Sequence, residues 1–325
     1  MKTALIIGAN GQDASYLAEF LLDKEYKVHG TIRRNSVPES QTTRIEHLHV
    51  RNDITLHYMD LIDPISVDSV VNKTQPDEIY HLGAQSHVQV SFDLPKYTLD
   101  VNGGGTLAVL EAVRRFSPHS KVYHAATSEM FGNSCDSDGF QRETTPMVPV
   151  SPYGCAKLYA HTLCRNYRQA YNMFVCSGIL FNHESPRRGI NFVTNKTALE
   201  AVRIKLGLSK ELVLGNLYSK RDWGHAKDYV EGMWLMLQQQ TPKDFVLATG
   251  ETRTVEEMVK YVFDELGLDW KLYVKTDKRY ERPEELNYLR GDASLAKAVL
   301  GWSPKYTFES MMKEMVQHWF QMLHK

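Results

Sequence analysis

The stretch from Thr3 to Ala14 constrains this chain more than any other. Thr3-Ala4-Leu5-Ile6-Ile7 has the length and composition of a strand buried on both faces, and it stops at Gly8-Ala9-Asn10-Gly11-Gln12-Asp13-Ala14. Residues 16–24 then set Leu17, Phe20 and Leu21 on one helical face. A strand feeding a helix through Gly8-x-x-Gly11-x-x-Ala14 can turn tightly and bring its backbone close to an anion, which the helix N-terminus attracts. Ala14 is small enough for close helix–strand packing. Glycine also serves ordinary tight turns, so the flanking strand and helix carry the inference of a dinucleotide site.

The same alternation continues. Strands are expected at 27–32, 54–59, 78–82, 121–125 and 173–178, and helices at 67–74, 98–115 and 152–170, the last opened by Ser151-Pro152. Strands alternating with helices over short connections predict a doubly wound parallel sheet of Rossmann type, an α/β fold. After Phe181 the pattern changes, with helices at 193–206 and 255–266 separated by short mixed segments. The expected organisation is a dinucleotide-binding domain over 1–180, to which about 217–250 returns. A smaller, mixed α/β substrate-binding region spans 181–325, interleaved with the first.

The end of the second strand bears on which dinucleotide binds. An Asp or Glu there accepts the ribose 2′-hydroxyl of NAD. This chain has Thr31-Ile32-Arg33-Arg34-Asn35-Ser36, with no carboxylate and two adjacent guanidiniums suited to a 2′-phosphate. NADP is therefore expected.

Tyr153 and Lys157 stand at i and i+4, on one face of the 152–170 helix. An ammonium beside a phenol lowers its pKa and makes it a base for a sugar hydroxyl during hydride transfer. The pair lies one βα unit after a strand that ends in small residues and Thr127-Ser128-Glu129.

Other chemistries find little support. With 38 Lys+Arg against 39 Asp+Glu, the net charge of −1 argues against nucleic acid or an anionic membrane as partner. Cys135, Cys155, Cys164 and Cys176 form no CxxC pair, which disfavours zinc and a disulfide framework and favours a reducing compartment. No apolar run approaches the roughly 20 residues of a membrane span, and 4–7 is too short for a signal peptide, so a cytoplasmic protein is expected. His47, His49 and His57 lack acid or cysteine partners at ligand spacing and read as loop and strand surface, with no metal. Met233 to Leu237 reads as a buried helix, and Trp319 and Phe320 as a seal for the last helix.

On its glycine turn, its Tyr-x-x-x-Lys pair and the hydroxyl residue Thr127, the chain resembles the extended short-chain dehydrogenase/reductase family. Within it, the closer resemblance is to the GDP-mannose 4,6-dehydratases. It is carried by Gly11-Gln12-Asp13, Leu82-Gly83-Ala84-Gln85-Ser86, Thr127-Ser128-Glu129, the 181–189 stretch Phe-Asn-His-Glu-Ser-Pro-Arg-Arg-Gly, Lys220-Arg221-Asp222-Trp223-Gly224 and Arg282-Pro283-x-Glu285. Departures are Ala14 for the usual Gly, Gly83 for Ala, and Asn195 for Arg. The last removes one charged contact expected near the substrate or an interface.

The resemblance implies roles. Tyr153 takes the O4 proton of a hexose, Lys157 tunes it and binds the nicotinamide ribose, and Thr127 hydrogen-bonds the reacting sugar. Glu129 suits the same chemistry on its own terms: oxidation at C4 acidifies the C5 proton, and a carboxylate there can remove it and help the C6 hydroxyl leave as water. For NADP the resemblance implies Gly8, Asn10, Gly11, Gln12, Asp13 and Arg33, then Asp60, Leu61, Leu82, Gly83, Ala84, Gln85 and Ser86. It adds Tyr97, Lys157, His183 and Arg188. For the nucleotide sugar it implies Ser86, Asn182, Asn191, Asn216, Arg221, Arg282 and Glu285. It also implies a homo-oligomer, dimer or tetramer, with the 33–36 loop at a subunit contact. GDP-mannoheptose as substrate, epimerase or 4-keto reductase activity, and a non-catalytic NADP sensor stay open at this level.

Overall fold

The computed structural model describes residues 1–34, 43–280 and 282–324. Seven parallel strands form the central sheet: β1 (Thr3–Ile7), β2 (Lys27–Ile32), β3 (Ile54–Tyr58), β4 (Glu78–His81), β5 (Lys121–Thr127), β6 (Val175–Leu180) and β7 (Phe245–Leu247). Their order is β7-β6-β5-β4-β1-β2-β3, with the chain reversing direction across the sheet between β1 and β4. In open α/β sheets, that reversal creates the crevice where ligands bind.

The apolar runs work as two-sided strands. Ala4 and Ile6 of β1 pack into one core, with Tyr80, Tyr123 and Cys176, while Leu5 and Ile7 pack into the other, with Ile79, Val122 and Val175. Helices α1 (Gln12–Asp23) and α6 (Ala226–Leu237) cover the first face; α2 (Pro64–Thr74) and α3 (Gly105–Phe116) cover the second. Helix α4 (Pro152–Ala170) also lies on the second face. A third core joins α5 (Val193–Lys205), α7 (Val255–Glu265) and α8 (Phe308–Leu323). Small ladders outside the central sheet pair Asn182–Glu184 with Trp223–His225, Lys220–Arg221 with Arg253–Thr254, and Leu212–Leu214 with Val274–Thr276.

Some expectations need correction. The helix expected at 98–115 is present but carries a π-helical turn, Asp100–Gly104, between Pro95–Leu99 and α3, with the backbone helical across both joins. Gly103 and Gly105 leave room for Tyr159 and Leu61, which a Cβ would meet at 2.8 and 2.7 Å. The first helix starts at Gln12, not Tyr16. His47 and His49 lie on a short helix, Glu46–Val50, and His57 Nε2 faces His29 Nδ1 at 2.9 Å across β2 and β3. Asn195 makes no charged contact: fully buried, it donates to the Arg188 carbonyl and accepts the Trp319 indole N–H, each at 2.6 Å. Of the 33–36 loop, Asn35 and Ser36 lie outside the described residues.

Candidate active site

Two adjoining cavities open at the C-terminal edge of the sheet, of about 1050 and 580 Å³. The smaller is walled by Gly8, Asn10, Arg33, Asp60, Leu61 and Gly83, and by Gln85 and Tyr97. The larger holds Thr127, Glu129, Tyr153 and Lys157 together with Gln12, Asp13, His183 and Arg188. Its far wall carries Asn182, Asn216, Arg221, Arg282 and Glu285. Gly11, Leu82, Ala84, Ser86 and Asn191 line both. Residues from every part of the chain thus meet in one crevice.

The glycine turn is a cradle. Gly8 has φ +86°, and a Cβ there would stand 2.8 Å from Gly83 Cα, so neither backbone shape nor space admits a side chain. Gly11 is the N-cap of α1, whose first-turn N–H groups face the cavity. Arg33, at the end of β2, donates to the Tyr97 hydroxyl on the smaller cavity's rim. Gln85 shapes the loop itself: its amide bonds Thr98 at 3.0 Å, and Asn102 holds its backbone N–H and carbonyl at 2.9 and 3.0 Å. A dinucleotide fits this arrangement, the pyrophosphate on the side-chain-free turn and a 2′-phosphate near Arg33.

Helix α4 begins at Pro152, with the Ser151 hydroxyl accepting the Gly154 N–H at 3.0 Å. A Cβ at Gly154 would lie 2.9 Å from the Glu129 carbonyl, so glycine lets α4 abut the turn Ser128–Phe131 and sets Tyr153 beside Glu129. The Thr127 hydroxyl caps that turn by accepting the Glu129 N–H at 3.2 Å.

The electrostatics depart from the expectation that Lys157 lowers the Tyr153 pKa. Burial, and then the Glu129 charge, push the Tyr153 phenol up to about 12, against the pull of Thr127 and Arg188. Lys157 Nζ donates to the Ala125 carbonyl at 2.8 Å, and burial brings its ammonium down to about 8. The i, i+4 spacing is present, but depth inside the protein governs both groups.

Several polar groups in the larger cavity stand ready for a ligand. Glu129 is 6% exposed; its Oε1 lies 3.5 Å from Arg282 Nη1, and its Oε2 is buried with no hydrogen-bond partner among the described residues. Asn182 Oδ1 and Ser219 Oγ are likewise buried and unpartnered. Arg221 is buried, donates to the Lys220 carbonyl, and has no ion-pair partner among the described residues; burial lowers it to about 10. A buried guanidinium without a counterion marks an anion site.

Sequence reasoning missed several contributors. His87 lines both cavities and caps the helix Val88–Asp93. Phe192, also in both, lies under the Arg188 guanidinium at 3.7 Å. Glu184 is buried, accepts from Thr194 at 2.6 Å and stands 3.1 Å from Arg188 Nε. Lys196, Arg203 and Tyr280 extend the far wall. His87 adjoins the singled-out Ser86, and Glu184 lies inside the 181–189 stretch; nothing in local spacing flags Phe192 or Tyr280.

The sheet order, the glycine cradle and the Thr127/Tyr153/Lys157 set define an extended short-chain dehydrogenase/reductase-type chain. Solved structures share the fold: the dTDP-glucose 4,6-dehydratase of Bacillus anthracis in complex with NAD has a TM-score of 0.84 at 22% identity, covering 100% of this chain and 98% of that one. The UDP-glucuronic acid 4-epimerase of Bacillus cereus, in complex with UDP-glucuronic acid and NAD, has a TM-score of 0.86 at 21% identity, with 98% and 99% covered. Residues 5–315 match the model of the GDP-mannose 4,6 dehydratase family, and the chain belongs to that family. Its relatives include GDP-mannose 4,6 dehydratase 2 of Arabidopsis thaliana, 53% identical over 325 residues, 97% of this chain and 86% of that protein. The GDP-mannose 4,6 dehydratase of Cricetulus griseus is 49% identical over 341 residues, 97% and 91% of the two chains.

Proposed function

We propose that the protein dehydrates GDP-mannose to GDP-4-keto-6-deoxymannose, with NADP held and regenerated in each turnover. The observation that carries the proposal is Glu129: a buried carboxyl whose Oε2 has no hydrogen-bond partner among the described residues, in the same cavity as Tyr153 and Arg221. An epimerase or 4-keto reductase has no use for a carboxylate there.

The residues divide the work as follows. Arg221 and Arg282 hold the diphosphate by charge-assisted hydrogen bonds, and Asn182, Asn191, Asn216 and Glu285 supply polar contacts to the nucleotide sugar. Ser86 and Thr127 orient the hexose. Tyr153 Oη takes the O4 proton, and Lys157, in the same cavity, holds the nicotinamide ribose. NADP, when bound, would supply the hydride acceptor for C4 and the hydride donor for C6. Glu129 takes the C5 proton and passes it to the C6 hydroxyl, which leaves as water; a proton then returns to C5, so the sugar's oxidation state is unchanged overall.

For the cofactor, the side-chain-free Gly8 turn admits a pyrophosphate, and Arg33 favours NADP over NAD. We divide the chain into a dinucleotide-binding part, 1–180 with 217–250, and a nucleotide-sugar part formed by the rest of 181–325. Leu99 and Tyr159, on neighbouring helices, and Leu94, at the cap between two of them, are about half exposed, which supports a homo-oligomer. A cytoplasmic location fits the unpaired cysteines and the lack, among the described residues, of any helix long and apolar enough to cross a membrane.

Incubation with GDP-mannose followed by mass spectrometry tests the proposal: a 4-keto product lacking one water is expected. Glu129→Gln should leave NADP bound and stop water loss. An intact substrate with wild-type protein, or unchanged turnover in Glu129→Gln, overturns it.

A further inference from the structure

A closed circuit of contacts begins and ends at Glu129. The residue rides on the single turn Ser128–Phe131. Just beyond it, Asn133 Nδ2 donates to the Glu285 carbonyl at 3.1 Å, and Asn133 Oδ1 accepts the Asn287 backbone N–H at 2.8 Å. Glu285 Oε1 accepts the Arg282 backbone N–H at 2.8 Å, and the Arg282 guanidinium reaches back to Glu129 at 3.5 Å. On its other edge this 282–292 strap is tied to the strand that carries Arg221, with Lys220 N–H donating to the Asn287 carbonyl at 2.8 Å. Gln141 secures only the later part, bonding the Tyr288 carbonyl and the Arg290 backbone N–H. Asn133 therefore supplies the side-chain hydrogen bonds that join Glu285 and Asn287 to the catalytic turn, beside the packing of Leu286 in one core with Met130 and Phe131.

Asn133 itself is exposed and lies outside both cavities. A side-chain amide that bonds a backbone carbonyl and a backbone N–H on one segment fixes both its distance and its register, as a strand neighbour does. Dehydration needs that fixity. The nucleotide end is held by Arg282 and Glu285, whereas the C5 proton must meet the Glu129 carboxyl, and misplacement of a reacting group by about 1 Å costs on the order of 10²-fold in rate.

We infer that Asn133 is a positioning residue for the dehydration: its two-point bond sets the spacing between the Glu129 turn and the strap that anchors the nucleotide. This rests on the dehydratase reading above.

The test uses the full chain carrying Asn133→Ala or Asn133→Asp; Asp keeps the acceptor for Asn287 and loses the donor to Glu285. In Asn133→Ala, turnover of GDP-mannose falls by about 10- to 100-fold. GDP affinity by calorimetry and the melting temperature stay close to wild type. Mass spectrometry shows a 4-keto sugar that still carries its C6 hydroxyl, and Asn133→Asp falls between the two. Wild-type turnover in Asn133→Ala overturns the inference, as does a parallel fall in GDP affinity and melting temperature, which marks a merely structural role. Should Asn133→Ala not fold, Asn133→Asp is judged by the same readouts. A wild-type protein that leaves GDP-mannose intact overturns the dehydratase reading itself and this inference with it.

Discussion

Asp13 and His183 are 170 positions apart in the chain, and their side chains meet at 2.7 Å in the wall of the larger cavity. The His183 ring also reaches the Phe181 carbonyl at 2.7 Å and stacks on Tyr229 with centroids 4.6 Å apart. An imidazole with acceptors at both nitrogens favours its protonated form. Burial works against that charge, but the Asp13 carboxylate outweighs it, so His183 titrates above its ordinary 6.5. Burial likewise raises Asp13, and the His183 charge and hydrogen bond bring it net below 3.8.

The pair therefore stabilises the fold within a pH window. The raised His183 contributes fully below 6.5 and its contribution is lost as pH rises through its folded value; the lowered Asp13 contributes fully above 3.8 and is lost as pH falls through its own. Asp13→Asn should cost on the order of 3 kcal/mol near pH 5.5 and less near pH 9, because removing one partner of a buried pair strands the other. Urea midpoints at the two pH values check this; an equal loss at both counts against the ion pair.

Lys157 gives a prediction of opposite sign. Its folded pKa of about 8 lies below 10.5, so its protonated form is disfavoured by folding, and stability is lost as pH falls from 10.5 through 8. Lys157→Met should raise stability at pH 7 by about 1–3 kcal/mol, a gain that fades above pH 10, while turnover is lost. Thermal melts across pH, with activity measured alongside, decide it.

Removing the Glu129 charge removes one of the influences that raise Tyr153. In Glu129→Gln the Tyr153 titration should move below about 12. Ultraviolet difference titration of that variant against the Glu129→Gln/Tyr153→Phe double variant isolates the one phenol. An unmoved midpoint means Glu129 does not act on Tyr153.

Gly8→Ala places a Cβ where Gly83 Cα stands 2.8 Å away and demands φ +86° of an alanine. A loss of about 1–3 kcal/mol in stability and near-complete loss of bound dinucleotide are expected, read from melting temperature and from nucleotide released on denaturation.

Arg33→Ala should weaken NADP by about 10- to 100-fold, the worth of a charge-assisted hydrogen bond, with little effect on NAD. Calorimetry with the two dinucleotides separates the outcomes; equal weakening of both moves Arg33 away from the 2′-phosphate.

Local order carries far in this chain. The glycine turn, the strands at 3–7 and 27–32 and the helix at 152–170 read directly, because buried strands and a capped amphipathic helix print their period on neighbouring residues. The helix at 98–115 read as a helix but its π turn did not, since the neighbours that crowd Gly103 and Gly105, Tyr159 and Leu61, come from far along the chain. Asn195, suspect as a lost charge, proved to be a buried link between the Arg188 loop and Trp319. No local pattern reveals that.

By itself the sequence determined the alternating α/β plan, the phosphate-binding turn and the set of side chains able to move a hydride's companion protons. Only the tertiary structure decided how those side chains behave: that Tyr153 sits at about 12 and Lys157 at about 8, that Arg221 is buried with no ion-pair partner among the described residues, and that Glu129 is coupled to Arg282. Spacing along a helix is a property of neighbours in the chain, whereas charge and proton affinity depend on depth and on partners that folding brings from far away.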